Sequence, residues 1–315
     1  MRLVTFTVGS SPARTGALVE DDRKVLDLQA AYGRVFHGAS PLLETMMHII
    51  EAGDAALDTI GQVLKVPHAS VMFGRDEVRL LAPVPVPPQM RDFLCFEKHL
   101  QQAFAAVAKL RGTEARVPQV WYERPIFYHP SRFSVCGTDT DVSWPSYTER
   151  LDFELEFGCY IGRRGKDIPK ERAREHIFGY TIFNDFSARD EQTKEMAGQL
   201  GPGKGKDFDN ANAMGPCLVT ADKIGDPYRL EMKVRVNGEE WGRGNSRDMR
   251  WKFEDCIAHA SRSETLHSGE FFGSGTVGNG CGLEQLRFLK PGDAVELEVE
   301  GIGILRNRVI REERK

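Results

Sequence analysis

The sequence shows no excess of charge of either sign. Its 42 lysines and arginines against 46 aspartates and glutamates leave a formal charge of -4 over 315 residues. That excludes the strong basic field that a nucleic acid or an anionic lipid surface needs in a partner. No apolar run approaches the ~20 residues of a membrane-spanning helix. The amino-terminal Met-Arg-Leu-Val-Thr-Phe lacks the charged, apolar and small-residue succession of a secretory signal, so a cytoplasmic protein is expected. The six cysteines, Cys95, Cys136, Cys159, Cys217, Cys256 and Cys281, are scattered with no C-x-x-C pair. That spacing argues against a zinc ribbon and against a disulfide framework, leaving reduced, mostly buried thiols as the expectation. Internal repeats, coiled-coil heptads and low-complexity tracts are also missing.

What is present divides at a proline-rich segment. Leu81 to Pro88 carries four prolines in its last six residues, Pro83, Pro85, Pro87 and Pro88, which enforce extended backbone and remove ladder donors. The boundary is set there, giving a small α+β segment 1–85 and a larger one 86–315. Before it, Leu3 to Val8 and Thr15 to Leu28 read as strands, the second turning at Asp21-Asp22. A helix is expected from Ser40 as N-cap and Pro41 at its first position, with Leu43, Met46, Met47 and Ile50 on one face and Gly53 at its end. A second runs from Asp54 to Leu64. Beyond the boundary, Glu97 to Leu110 reads as a helix with Leu100, Phe104, Val107 and Leu110 as its apolar stripe. Leu151 to Ile161, Tyr180 to Phe183, Leu230 to Val236 before an Asn237-Gly238 hairpin turn, and Ala294 to Val299 read as strands; Arg247 to Ala260 reads as a helix. The class is α+β and mostly β. The basic run Arg306 to Lys315 reads as a solvated strand and tail.

Chemistry concentrates in Leu151-Asp-Phe-Glu-Leu-Glu-Phe-Gly-Cys-Tyr-Ile161. Its odd positions are apolar, while Asp152, Glu154 and Glu156 alternate with them, so an unbroken strand places the three acids in one row. An isolated E-x-E is ordinarily the watered face of an amphipathic strand. Like charges so close repel, however, and a hard dication bound through carboxylate oxygens removes the repulsion. The context for that reading is Phe178 to Gln192, an apolar strand ending in Asn184-Asp-Phe-Ser-Ala-Arg-Asp-Glu-Gln192, with Asp185 placed to meet the first acids.

Together, L-D-x-E-x-E and G-Y-T-x-x-N-D-x-S-A-R-D-x-Q resemble the metal-site signature of the fumarylacetoacetate hydrolase superfamily. The resemblance continues through Leu200-Gly-Pro-Gly-Lys-Gly-Lys-Asp-Phe208, Met214-Gly-Pro-Cys217, Phe272-Gly-Ser-Gly-Thr276 and Lys290-Pro-Gly-Asp293, covering about residues 90 to 310. It implies a mixed β-roll or sandwich catalytic domain, a homodimer, and a divalent ion, Mg²⁺, Ca²⁺ or Mn²⁺, held by Asp92, Glu154, Glu156 and Asp185. His99, seven positions after Asp92, resembles the family's catalytic base, and Glu284 the acid that orients it. Tyr128, Gln192, Lys206 and Thr276 match substrate-contact positions; Gln192 and Lys206 are also candidate catalytic groups, and Arg189 a structural partner of nearby carboxylates. The sequence departs from the pattern at Leu94, Ala108 and Met196, where tyrosine, arginine and tyrosine are expected, with Arg111 or Arg116 as conceivable substitutes. A substrate less acidic, or more apolar at its far end, than fumarylacetoacetate is therefore expected.

The resemblance thus implies a metal-dependent hydrolase cleaving a carbon-carbon bond in a 1,3-dicarbonyl compound, with a setting in aromatic compound catabolism. Isomerase, hydratase or decarboxylase chemistry on a related 2-oxo acid is the alternative, because the same enolate can be protonated instead of released by cleavage. A noncatalytic binder is the third reading, disfavoured by a base placed near a metal site. The expected partner is a small oxo-acid or diketone, with neither nucleic acid nor membrane involved.

Overall fold

A computed structural model describes residues 1–66 and 69–311, with the side chain of Arg111 left out. A twelve-stranded sheet dominates it. Its main path runs Met72–Gly74, Lys24–Asp27, Arg14–Val19, Arg2–Thr7, Asn212–Thr220, Ile177–Asp185, Leu155–Ile161, Phe271–Gly273, Met90–Phe93 and Phe127–Tyr128. A five-stranded sheet follows the order Glu239–Asn245, Glu231–Val236, Ala294–Val299, Gly303–Ile310 and Asp141–Ser143. The fold is mostly sheet with a few helices, in the expected class.

The strand pattern explains how the layers stack. Leu155, Phe157, Cys159 and Ile161 fall in one large core with Met232, Val234, Leu297 and Leu305 of the second sheet. Tyr160, Phe183 and Phe271 lie instead in a second core, with Leu43, Met46, Ile49, Ile50 and Ile60 from the amino-terminal helices. Each such side chain fully buried stabilises the fold by roughly 1.5–3 kcal/mol relative to exposure. Every residue of Leu155–Ile161 and of Ile177–Asp185 is buried, so the acidic face of the first strand does not meet water. Hydrogen bonding crosses the proline-rich segment, because Arg2 and Leu3 pair antiparallel with Val219 and Leu218. The two stretches of chain therefore share one sheet.

Several element boundaries differ from the pattern reading. Pro41 opens a 3-10 turn over Pro41–Leu43, and the helix begins at Met46 under Thr45, whose side chain caps it. The helix expected from Arg247 forms only over Phe253–Ala260, where Asp255 accepts from the backbone N–H of Lys252 and closes a capping box. The strand expected as Leu151 to Ile161 is broken into Leu151–Asp152 and Leu155–Ile161. Asn237 and Gly238 both take positive φ in the hairpin turn, as the dipeptide requires. The basic carboxyl-terminal run supplies part of the strand Gly303–Ile310, and 312–315 lie outside the described residues. All six cysteines are free and buried, and no helix among the described residues is long and apolar enough to cross a membrane.

Candidate active site

The break in the acidic strand decides where each acid goes. Because Phe153 and Glu154 leave the ladder, Asp152, Glu154 and Glu156 do not form one row. Glu154 makes an isolated bridge with Cys281, and its backbone N–H donates to Asn184 Oδ1 at 3.0 Å. Its carboxylate is held by Lys206 Nζ at 2.5 Å and by Arg189 Nη2 at 2.8 Å. Asp152 is bound to Nε of the same guanidinium at 2.8 Å. This matches the role expected for Arg189 and removes Asp152 from the acidic row.

A different set of three carboxylates meets. Asp92, Glu156 and Asp185 each offer an oxygen within 4.8 Å of the others, and all three residues are buried. Asp92 comes from the strand Met90–Phe93, paired parallel to Phe271–Gly273 and antiparallel to Phe127–Tyr128, and accepts from the Gly275 N–H at 3.2 Å. Asp92 Oδ1 lies where a side chain on Gly273 would stand, 2.3 Å from an ideal Cβ, so a side chain there would displace that carboxylate. Glu156 accepts from Thr276 Oγ1 at 3.3 Å. Asp185, at the end of its strand, accepts from Tyr128 Oη at 2.6 Å and from Lys206 Nζ at 2.5 Å. Tyr128 and Thr276, expected at the substrate, here bind the carboxylates.

Burial dominates the electrostatics. It pushes the Asp92 and Glu156 carboxyls well above the usual range, with the neighbouring acids adding to the effect. Burial raises Asp185 to about 6 against the opposing pull of the Lys206 ammonium. It also opposes ionisation of Glu154, but Arg189 and Lys206 outweigh it and hold that carboxyl well below the usual range. Glu156 Oε2 and Asp185 Oδ1 are buried without a hydrogen-bond partner. Unpartnered buried carboxylate oxygens are costly, and an all-oxygen donor set is what a hard dication takes. The residues therefore fit a divalent cation, with Asp92, Glu156 and Asp185 gathered to hold it. Glu154 stands outside this trio, joined to Asp185 through the shared Lys206 ammonium.

These shifts carry a pH prediction. Above its raised folded value each clustered carboxyl loses a proton, and with it the stability present at lower pH; a cation binds the deprotonated form and restores it. Glu154, held low, stays ionised across the same window and contributes no slope. The rise in Tm on adding Mn²⁺ is expected to grow between about pH 5 and pH 8. A rise independent of pH would mean that the trio is already fully ionised.

Beside the acids lies a second constellation. His99, third residue of the helix Glu97–Arg111 and 5% exposed, places Nδ1 2.9 Å from Glu284 Oε1. Glu284 sits on the short turn Leu283–Gln285, and its other oxygen accepts from the Cys281 N–H at 3.3 Å. Gln102 and Asn279 bond reciprocally at 2.7 and 3.1 Å, clamping helix to turn. Cys281 Sγ joins His99 and Glu284 in a second group of possible ligand atoms. Gln192 is half-buried and accepts from Arg189 Nη1 at 3.0 Å. Of the departures, Leu94 is half-buried, Ala108 buried and Met196 53% exposed; Arg116 is exposed, and the Arg111 side chain lies outside the described residues.

Comparison with known proteins agrees with this architecture. Residues 89–310 match the family described as fumarylacetoacetate (FAA) hydrolase C-terminal. The chain is 33% identical over 300 residues to oxaloacetate tautomerase YisK of Bacillus subtilis (strain 168), covering 93% of this chain and 95% of that protein. The fumarylacetoacetate hydrolase (EaFAH) from psychrophilic Exiguobacterium antarcticum superposes with a TM-score of 0.77 at 25% identity, covering 99% of this chain and 100% of that one. The maleylpyruvate hydrolase from Sphingobium sp. SYK-6, solved with manganese (II) ion and pyruvate, shares the fold at a TM-score of 0.74 and 22% identity, covering 99% of this chain and 100% of that one.

Proposed function

The chain belongs to the fumarylacetoacetate hydrolase family of enzymes, and on that premise we propose that it is a divalent-cation-dependent enzyme interconverting the enol and keto forms of a small 2-oxo acid. The observation that carries this reading is the His99–Glu284 pair at 2.9 Å, linked to the carboxylates by the Glu154–Cys281 bridge and by the Lys206 ammonium that Glu154 shares with Asp185. The similarity to an oxaloacetate tautomerase over nearly the whole chain supports it and makes oxaloacetate the first substrate to test.

In this reading Asp92, Glu156 and Asp185 would hold the cation, with Glu154 next to them on the shared Lys206 ammonium. When bound, it supplies a Lewis acid that polarises the oxo group and favours the enol. His99 moves the proton. Glu284 accepts from Nδ1–H, fixes the tautomer and leaves Nε2 to exchange a proton with the carbon beside the oxo group. Glu284 also stabilises the imidazolium formed when that proton is taken. Lys206 and the Gln192 amide donate toward the enol oxygen as charge develops there. Leu94 and Ala108 bring no cation to a distant subsite, which favours compact substrates held close to the cluster over fumarylacetoacetate.

Hydrolysis of a carbon-carbon bond in an acylpyruvate is the second reading, supported by the same pair, since a base of this kind also accepts a proton from water. Labelled water separates them. With oxaloacetate and Mn²⁺, loss of enol absorbance is expected without fragmentation, and with acylpyruvates no ¹⁸O is expected in a carboxylate product. Incorporation of one labelled oxygen with release of pyruvate would establish the hydrolase instead.

A further inference from the structure

Asp152 does work that neither the acidic row nor the proton-transfer pair explains. It is completely buried, and its carboxylate is saturated by four N–H donors: Phe153 and Gly282 on Oδ1 at 2.9 and 2.8 Å, Leu283 and Arg189 Nε on Oδ2 at 2.9 and 2.8 Å. Two of the donors are the backbone amides that lead into Glu284. A two-residue ladder, Leu151 with Ala188 and Asp152 with Ser187, fixes Asp152 from behind. The turn is moulded on the carboxylate: an ideal Cβ on Gly282 would stand 2.6 Å from Asp152 Oδ1 and 1.9 Å from the Arg287 carbonyl oxygen. Through Arg189 the same carboxylate is tied to Glu154, whose oxygen lies 2.8 Å from Nη2.

We propose that Asp152 is a positioning residue: it seats the Gly282–Leu283 turn so that Glu284 meets His99, and through Arg189 it sets that pair in fixed relation to the carboxylate cluster. The inference rests on the proton-transfer role given above to His99 and Glu284. A small shift of the turn lengthens the His99–Glu284 bond, and misorientation of a base lowers turnover more than it weakens substrate binding. Asparagine at this position keeps the shape but presents an amide N–H₂ to one donor pair, so one side of the grip is lost.

The test is a double-mutant cycle on oxaloacetate enol with saturating Mn²⁺, comparing Asp152→Asn, Glu284→Gln and the double variant. Asp152→Asn is expected to lower kcat about 10- to 100-fold, as loss of a supporting contact does, with KM changed less than about threefold. The double variant is expected to turn over no more slowly than Glu284→Gln alone, because one acts through the other. Additive losses, or an unchanged kcat in Asp152→Asn while Glu284→Gln is impaired, would overturn the proposal. Full turnover in Glu284→Gln would instead remove the proton-transfer reading itself. If Asp152→Asn does not fold, Gly282→Ala displaces the same turn and is held to the same non-additivity with Glu284→Gln; additive losses there count equally against the proposal.

Discussion

Replacing His99 by alanine is expected to lower turnover ~100- to 10,000-fold, the range for loss of a general acid-base group, while cation affinity stays within a few-fold. The separation follows from geometry. His99 is tied to Glu284, not to a member of the Asp92, Glu156 and Asp185 trio. Truncation therefore takes away the proton carrier and leaves the trio intact. Steady-state kinetics on oxaloacetate enol, with a calorimetric Mn²⁺ titration of the same variant, measures both quantities. If cation binding collapses with activity, His99 holds the ion or the fold rather than the proton. Turnover retained within a few-fold would leave the site without its base.

Removing one member of the trio is expected to be as severe for catalysis without destabilising the cation-free protein. Glu156→Ala should bring cation-dependent turnover to background, because a hard ion is held by few protein oxygens. The same change deletes a buried, partly unpartnered carboxyl whose ionisation burial opposes. The cation-free variant should therefore melt no lower than the parent above pH 7, and addition of Mn²⁺ should no longer raise its Tm. Glu154→Ala offers the contrast. It strips partners from the buried Lys206 and Arg189, and breaking such a network costs about 3–5 kcal/mol. Equal destabilisation by the two alanines would show that the acids are not sorted as described. Cation-dependent turnover surviving in Glu156→Ala would take that residue out of the ion site.

Much of this was legible in the chain itself, and the exceptions have a common cause. Helix periodicity located Glu97 to Leu110, and Asn237-Gly238 marked a hairpin, because such signals are local. The grouping of Asp92, Glu154, Glu156 and Asp185, of which the structure gathers all but Glu154, and of His99 with Glu284, came from motif resemblance, since strands and turns far apart in sequence supply them. Period-two alternation failed at Phe153 and Glu154. A strand reading assumes that the ladder continues, and here Glu154 leaves it to bridge Cys281, more than a hundred residues onward. Asp152 was unreadable for the same reason: two of its four donors, Gly282 and Leu283, belong to that distant turn. Tyr128 and Thr276 were legible as site residues but not as carboxylate donors, because an O–H group carries no sequence mark of the acceptor it will find.

The pairing of the first strand with Asn212–Thr220 has a consequence for where a working enzyme begins. A chain cut at the proline-rich segment would keep every acid of the cluster and both members of the His99–Glu284 pair. It would also leave Leu218 and Val219 without their strand partners, and uncover Phe183, Met214, Leu218 and Phe271 on the face that the amino-terminal helices shield. An open edge beside an exposed apolar face is a template for association with other chains. Asp185 ends the very next strand. The amino-terminal segment thus covers the apolar face of the strand that ends in this acid, and a chain cut at the prolines is expected to associate where the full chain does not.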